Sequence, residues 1–255
     1  IMRVGIVEER AAALEAAGVV EAPGIGEWCR AAGLQREPGD ARFTRQTEDV
    51  YRRGAQHRIP LLVGRNADEG VLYTRPAHVD IVRRLSETAP DLADCYPASD
   101  AEQARASARR FVADTRFDYP VWRWALTHPE HGHPTYLYRF DRTPPLPDQL
   151  ARLPAPDGAP GSGSFHTAEL PYMSGNLRML KWPWTDGDRA LSAAMVEAWA
   201  AFVSTGEPNT RVGPAWPQFG AAHGCEMRFG DALGPRPVSD AETMRRLDRA
   251  ARPVR

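Results

Sequence analysis

One segment limits what this chain can fold into more than any other. Ile59-Pro60-Leu61-Leu62-Val63-Gly64 is a short apolar run stopped by glycine, and Arg65-Asn66-Ala67-Asp68-Glu69-Gly70 follows it as a polar turn. A brief apolar run closed in this way is the pattern of a buried parallel strand. A second run, Thr135-Tyr136-Leu137-Tyr138-Arg139-Phe140, is rich in β-forming aromatics. Helical stretches separate the two. Residues 76–87 carry Val79, Val82 and Leu85 at helical spacing, 100–113 open on Asp100 with Gln103 three positions on, and 117–127 tolerate Pro120 near their start. Strand, long helical crossover, strand is the order that builds a parallel sheet flanked by helices. The predicted class is α/β.

The remainder fits that frame. Residues 141–163 hold six prolines and three glycines and are expected to be irregular, and a loop of that length is usually functional or disordered. The strongest helix is predicted over 188–205, where Leu191, Ala194, Met195, Ala198, Trp199, Phe202 and Val203 form one apolar face before Gly206 and Pro208 end it. Residues 226–230 read as a short strand and 242–251 as a terminal helix. Nearer the N-terminus, 8–17 favour helix, a turn is expected around Trp28, and 35–45 are loop-like. No internal repeat divides the chain, so residues 1–255 are treated as part of one domain.

Composition removes several classes of function. The 32 basic and 33 acidic residues leave a net charge of −1, so no basic field exists to hold nucleic acid or an anionic membrane. Lys181 is the single lysine, which argues against chemistry built on a lysine, and no phosphate-binding G-x-x-x-x-G-K-[ST] loop occurs. No apolar stretch approaches the ~18 residues that span a bilayer. Cys29, Cys95 and Cys225 are too scattered for a disulfide framework or a thiolate zinc site. They lean toward a cytoplasmic protein, although a signal peptide would lie upstream of Ile1.

Open α/β sheets carry their sites beyond the carboxyl ends of the strands. Asp68 and Glu69 follow the first strand directly, and Gly161-Ser162-Gly163-Ser164-Phe165-His166 closes the loop after the second. A carboxylate on one loop and a histidine on the next make a base and its orienting acid. The carboxylate fixes the imidazole tautomer and stabilises the imidazolium formed in acyl transfer. Glu169 lies one helical turn past His166, close enough to join them. A competing site is His128-Pro129-Glu130-His131-Gly132-His133, whose histidines and carboxylate are metal-ligand types. A polar loop entering a strand explains that segment without a metal.

Several motifs, in order, are similar to those of type-B carboxylesterases. Val63-Gly64-Arg65-Asn66-Ala67-Asp68-Glu69-Gly70 resembles that family's acid turn, and Ser164-Phe165-His166-Thr167-Ala168-Glu169-Leu170-Pro171-Tyr172 its histidine loop, with Gly175-Asn176-Leu177 beyond. Phe202-Val203-Ser204-Thr205-Gly206-Glu207-Pro208-Asn209 and Trp216-Pro217-Gln218-Phe219 resemble its C-terminal segment. The resemblance runs from about Ile59 to Gly230. It implies the C-terminal portion of an α/β-hydrolase fold, with a mostly parallel sheet and flanking helices. It also implies ester hydrolysis by a serine–histidine–glutamate triad with no cofactor or metal. Glu69 would be the acid, His166 the base and Glu169 a buried carboxylate beside them. Phe117 and Phe165 would line the pocket for a small-molecule ester, with Asp114 beside Phe117 on its acyl side.

One part of the triad is missing from this sequence. No serine occurs in a G-x-S-x-G elbow, since Pro160 stands two places before Ser162 and Ser162 two before Ser164. No glycine-rich oxyanion turn is present either. In the family both precede the acid residue. The expectation is therefore a C-terminal part whose partner is the N-terminal half of the same fold, inactive by itself. The alternative is a catalytically inactive relative that works in protein interaction.

Overall fold

A computed structural model describes residues 50–51, 53–220 and 224–251. The chain divides into two units, Ile1–Gln56 and His57–Arg255, and the sheet belongs to the second. The helix expected at 8–17, the turn around Trp28 with Cys29, and the loop at 35–45 all lie outside the described residues.

Among the described residues four strands form one sheet in the order β1 (Leu61–Asn66), β2 (Thr135–Phe140), β3 (Cys225–Phe229) and β4 (Gly234–Pro237). The β1–β2 and β2–β3 pairs are parallel, and β4 returns antiparallel to β3. In β1, Leu61 to Asn66 lie opposite Thr135 to Phe140 without a break. The first strand therefore ends two residues later than its apolar run, because Arg65 and Asn66 complete it and are buried. The fourth strand, Gly-Pro-Arg-Pro, has neither β-branched residues nor alternation and gives no strand signal in the sequence.

Helices cover both faces. On one side lie α1 (Pro76–Arg83), α2 (Leu85–Thr88), α3 (Ala101–Ala113), α4 (Tyr119–Thr127) and, from the far end of the chain, α6 (Ala241–Ala251); on the other lies α5 (Asp186–Thr205). Alternation along β2 divides the core. Leu137 packs among Val82, Leu85, Trp122, Met244 and Leu247, whereas Tyr136, Tyr138 and Phe140 pack among Tyr172, Leu191, Met195, Trp216 and Phe229. The alternating aromatics of β2, which favour strand, are what made this segment visible in the sequence. Gly64 in β1 leaves room for the Tyr138 ring, since a Cβ there would stand 2.2 Å from it.

Local sequence explains the helix ends. Asp100 accepts a hydrogen bond from the Gln103 N–H at 2.8 Å, while the Gln103 side chain accepts from Ser99 N–H rather than from Asp100. The helix predicted to start at 188 starts at Asp186. Thr185 caps it, and Asp188 is the reciprocal partner of that capping box. The helix expected over 76–87 breaks at Arg84, whose ψ of 4° leaves the helical region. The terminal helix begins one residue earlier than expected, and the third strand runs 225–229 rather than 226–230. The 141–163 segment is better ordered than its prolines suggest. It holds a helical turn at Asp148–Ala151 and a Pro154–Pro160 bridge, and Arg109 grips Asp157 through two hydrogen bonds of 2.6 and 2.7 Å.

Candidate active site

The site forms where β1 and β2 deliver their loops to the same end of the sheet. Ala67 N–H still bonds to the Phe140 carbonyl at 2.9 Å, so the β1–β2 ladder reaches the turn. The chain then folds into a 3-10 turn, Glu69–Leu72, that lies against the backbone of α3. Gly70 permits that approach, because a Cβ would sit 1.9 Å from the Arg109 carbonyl oxygen. The histidine loop is fastened alongside. Asp68 N–H donates to the Ser164 carbonyl, Ser164 N–H donates to Asp68 Oδ2, and the buried Ser164 hydroxyl donates to the Arg142 carbonyl.

These fastenings bring Glu69 and His166 together. Glu69 Oε2 lies 2.6 Å from His166 Nδ1, and its other oxygen accepts from Asn66 N–H at 2.9 Å. Glu69 is 4% exposed, so its charge faces the imidazole and one amide rather than water. With Nδ1–H turned to the carboxylate, Nε2 is the nitrogen left to exchange a proton. Thr167, next to His166, has φ 74°, a left-handed conformation that costs a β-branched residue energy and is held here by its surroundings.

Around the pair, Phe117 and Tyr73 pack on the imidazole with ring centroids 4.9 and 5.5 Å away, and on each other at 5.2 Å. Phe117 arrives from a π-helical turn, Asp114–Asp118, which widens the join between α3 and α4. Glu169 accepts from Asn66 Nδ2 at 2.5 Å. Burial pushes its carboxyl above the ordinary value, the Asn66 hydrogen bond opposes this, and the Glu69 charge adds to it. Phe165 has its half-buried side chain against the α5-side core and gives its carbonyl to Asn66 Nδ2 at 2.8 Å. Asp114 stands apart from the imidazole's ring contacts. It accepts from Tyr96 Oη at 2.8 Å and lies 3.6 Å from Arg110 Nε.

The histidine-rich segment behaves differently. His128 is buried with Nε2 2.8 Å from the Ile59 carbonyl, its ring 5.0 Å from that of His133. Among the described residues no group of three or more His, Cys, Asp or Glu side chains is placed to hold a metal. None of the described helices is long and apolar enough to cross a membrane.

Sequence reasoning left Asn66 and Tyr73 without a role. The signal for Asn66 was its place before the acid at a strand end. For Tyr73 it was an aromatic four residues past Glu69, within reach once that turn is helical.

The carboxylesterase family model matches residues 33–241. The chain belongs to the carboxylesterase family. Among its relatives is the para-nitrobenzyl esterase of Bacillus subtilis (strain 168), 31% identical over 188 residues that cover 68% of this chain and 35% of the relative. Another is the fumonisin B1 esterase of Sphingopyxis macrogoltabida, 29% identical over 205 residues, or 73% of this chain and 35% of that one. A solved para-nitrobenzyl esterase superposes with a TM-score of 0.62 at 28% identity, covering 80% of this chain and 41% of the other. A thermophilic one gives 0.62 at 26% identity, covering 87% and 46%. The fold is thus a portion of the α/β hydrolase. The chain spans little more than a third of the length of these two curated relatives.

Proposed function

We propose that this chain supplies the acid and the base of a serine carboxylesterase. The single observation carrying this is the 2.6 Å contact between Glu69 Oε2 and His166 Nδ1, made by a buried carboxylate. In the proposed reaction a serine attacks the ester carbonyl as His166 Nε2 takes its proton. The imidazolium, stabilised by Glu69, returns that proton to the leaving alkoxide. Water then repeats the sequence on the acyl-enzyme and releases the acid. Glu169 is a half-buried carboxylate close to this pair, and Phe117 and Phe165 are assigned to the ester pocket.

Since no serine of this sequence stands in a G-x-S-x-G elbow, the nucleophile and oxyanion donors are assigned to residues outside it. The aromatic packing at His166, with Phe117 and Tyr73, supports an uncharged ester substrate. The names of two relatives, one acting on para-nitrobenzyl esters and one on fumonisin B1, agree with an ester as the substrate class.

The test is fluorophosphonate labelling of protein purified from its native host, followed by intact mass. The expected adduct is on a species heavier than 28.2 kDa that contains this chain. An adduct on the 28.2 kDa chain would reveal a nucleophile outside an elbow and overturn the assignment of the serine. No adduct on any species containing the chain would identify an inactive relative that retains Glu69 and His166.

A further inference from the structure

We propose that Asn66 is the positioning residue of this site, its side-chain amide holding the histidine loop and Glu169 against the strand whose turn carries Glu69. This rests on the reading of Glu69 and His166 as an acid–base pair, and adds a residue to it.

Asn66 ends β1 opposite Phe140, and it is 1% exposed. Its backbone and side chain do different work. The backbone N–H donates to Glu69 Oε1, a bond that survives any substitution except proline. The side-chain Nδ2 has two hydrogens and two acceptors: the Phe165 carbonyl at 2.8 Å and Glu169 Oε2 at 2.5 Å. Those acceptors bracket His166 in sequence, one residue before it and three after. The contacts therefore close a ring, from Asn66 to Glu69, to the imidazole, along the loop to Glu169, and back to the Asn66 amide.

The loop so held is under strain at Thr167, a β-branched residue at φ 74°. It has reason to relax once released. A second polar tie between the two loops, Asp68 with Ser164, lies on the N-terminal side of His166. Asn66 supplies the tie that reaches past it. The chemistry also restricts the residue type. Aspartate has nearly the same shape but no donors, and would set a third carboxylate beside Glu69 and Glu169. Leucine fills the space but binds neither acceptor.

The experiment uses the full chain with 15N-labelled histidine. It reads the Nδ1–H proton of His166, which a 2.6 Å contact to a carboxylate shifts far downfield and shields from water. Glu69→Gln identifies the signal by perturbing it. In Asn66→Asp and Asn66→Leu the proposal requires that proton to exchange with water at least about tenfold faster, or to be lost, while the methyl spectrum stays native-like. An unchanged signal in both folded variants overturns the role of Asn66 and leaves the acid–base pair standing. A wild-type spectrum without a downfield proton that responds to Glu69→Gln overturns both. Should neither Asn66 variant fold, Glu169→Ala cuts the same tie from its partly exposed end. Faster exchange there supports the proposal, and an unchanged rate overturns it.

Discussion

Asp68 and Ser164 stand 96 positions apart and exchange two hydrogen bonds, Asp68 N–H to the Ser164 carbonyl at 3.0 Å and Ser164 N–H to Asp68 Oδ2 at 2.8 Å. Glu69 is the next residue on one side of this rung, and His166 lies two residues along on the other. The rung therefore sets the separation of carboxylate and imidazole before either side chain makes its own contact.

Gly163 is where the rung is most easily broken. Its φ of 119° excludes ordinary side chains, and a Cβ would stand 2.5 Å from Asp68 Oδ2. Gly163→Ala should destabilise the fold by about 1–3 kcal/mol. Thermal melting would register this as a loss of about 2–4 °C per kcal/mol. An unchanged melting temperature would mean that the turn accommodates a Cβ at this position.

In the catalytically complete protein, Glu69→Gln and His166→Ala should each lower kcat on an uncharged ester by about 10⁴, with KM little altered. Steady-state kinetics on both variants checks this. Turnover near the wild-type rate in either would remove that residue from the mechanism.

Asp114 makes stability depend on pH in an unusual direction. Burial, with a contribution from the Asp118 charge, raises its carboxyl from 3.8 to about 7, against the opposing effects of the Tyr96 hydrogen bond and Arg110. Between those values the folded chain keeps a proton that the unfolded chain has released. The stability that Asp114 contributes therefore falls as pH rises from about 4 to about 7, then levels off. Asp114→Asn should flatten this slope and be the more stable protein above neutrality. Urea unfolding of both chains, at intervals between about pH 4 and pH 8, measures the difference. Parallel curves would exclude Asp114 as the source.

Arg65, adjacent to Asn66 on the strand, points to the opposite face of the sheet. There it meets Asp118 Oδ2 at 3.2 Å and Glu226 Oε2 at 2.8 Å, all three buried. Glu226 is shared with Arg228, which reaches Asp141 at 2.6 Å. Arg65→Met should cost about 3–5 kcal/mol, because two buried carboxylates lose their common cation. Urea denaturation reads this loss. A cost below about 1 kcal/mol would mean that Arg228 and solvent take over the charge.

The first two strands, the apolar face of α5 and the pairing of Glu69 with His166 were legible because each leaves a periodic or chemical mark. Where the structure departs from expectation, polar residues were judged by their own character. Arg65 and Asn66 look like a turn, yet each is buried in the strand by partners from distant segments: Glu226 for one, Glu169 and the Phe165 carbonyl for the other. Nothing local announces those partners. The break at Arg84 leaves a sequence that still has helical spacing on both sides. The 141–163 loop is tied by the Arg109–Asp157 pair across 48 positions, a contact that proline content cannot reveal. Phe117 could be suspected as a neighbour of the imidazole, but Tyr73 came into view only with the fold of the acid turn.

The fourth strand gives the sheet a direction of growth. Pro235 and Pro237 have no N–H, so at those two positions the edge facing away from β3 has no donor for another strand. That side is a chain terminator in the polymer sense. Among the described residues the opposite edge, Leu61–Asn66, has no proline, so it is the edge left open to a further strand, next to the residues that hold the acid and the histidine in place.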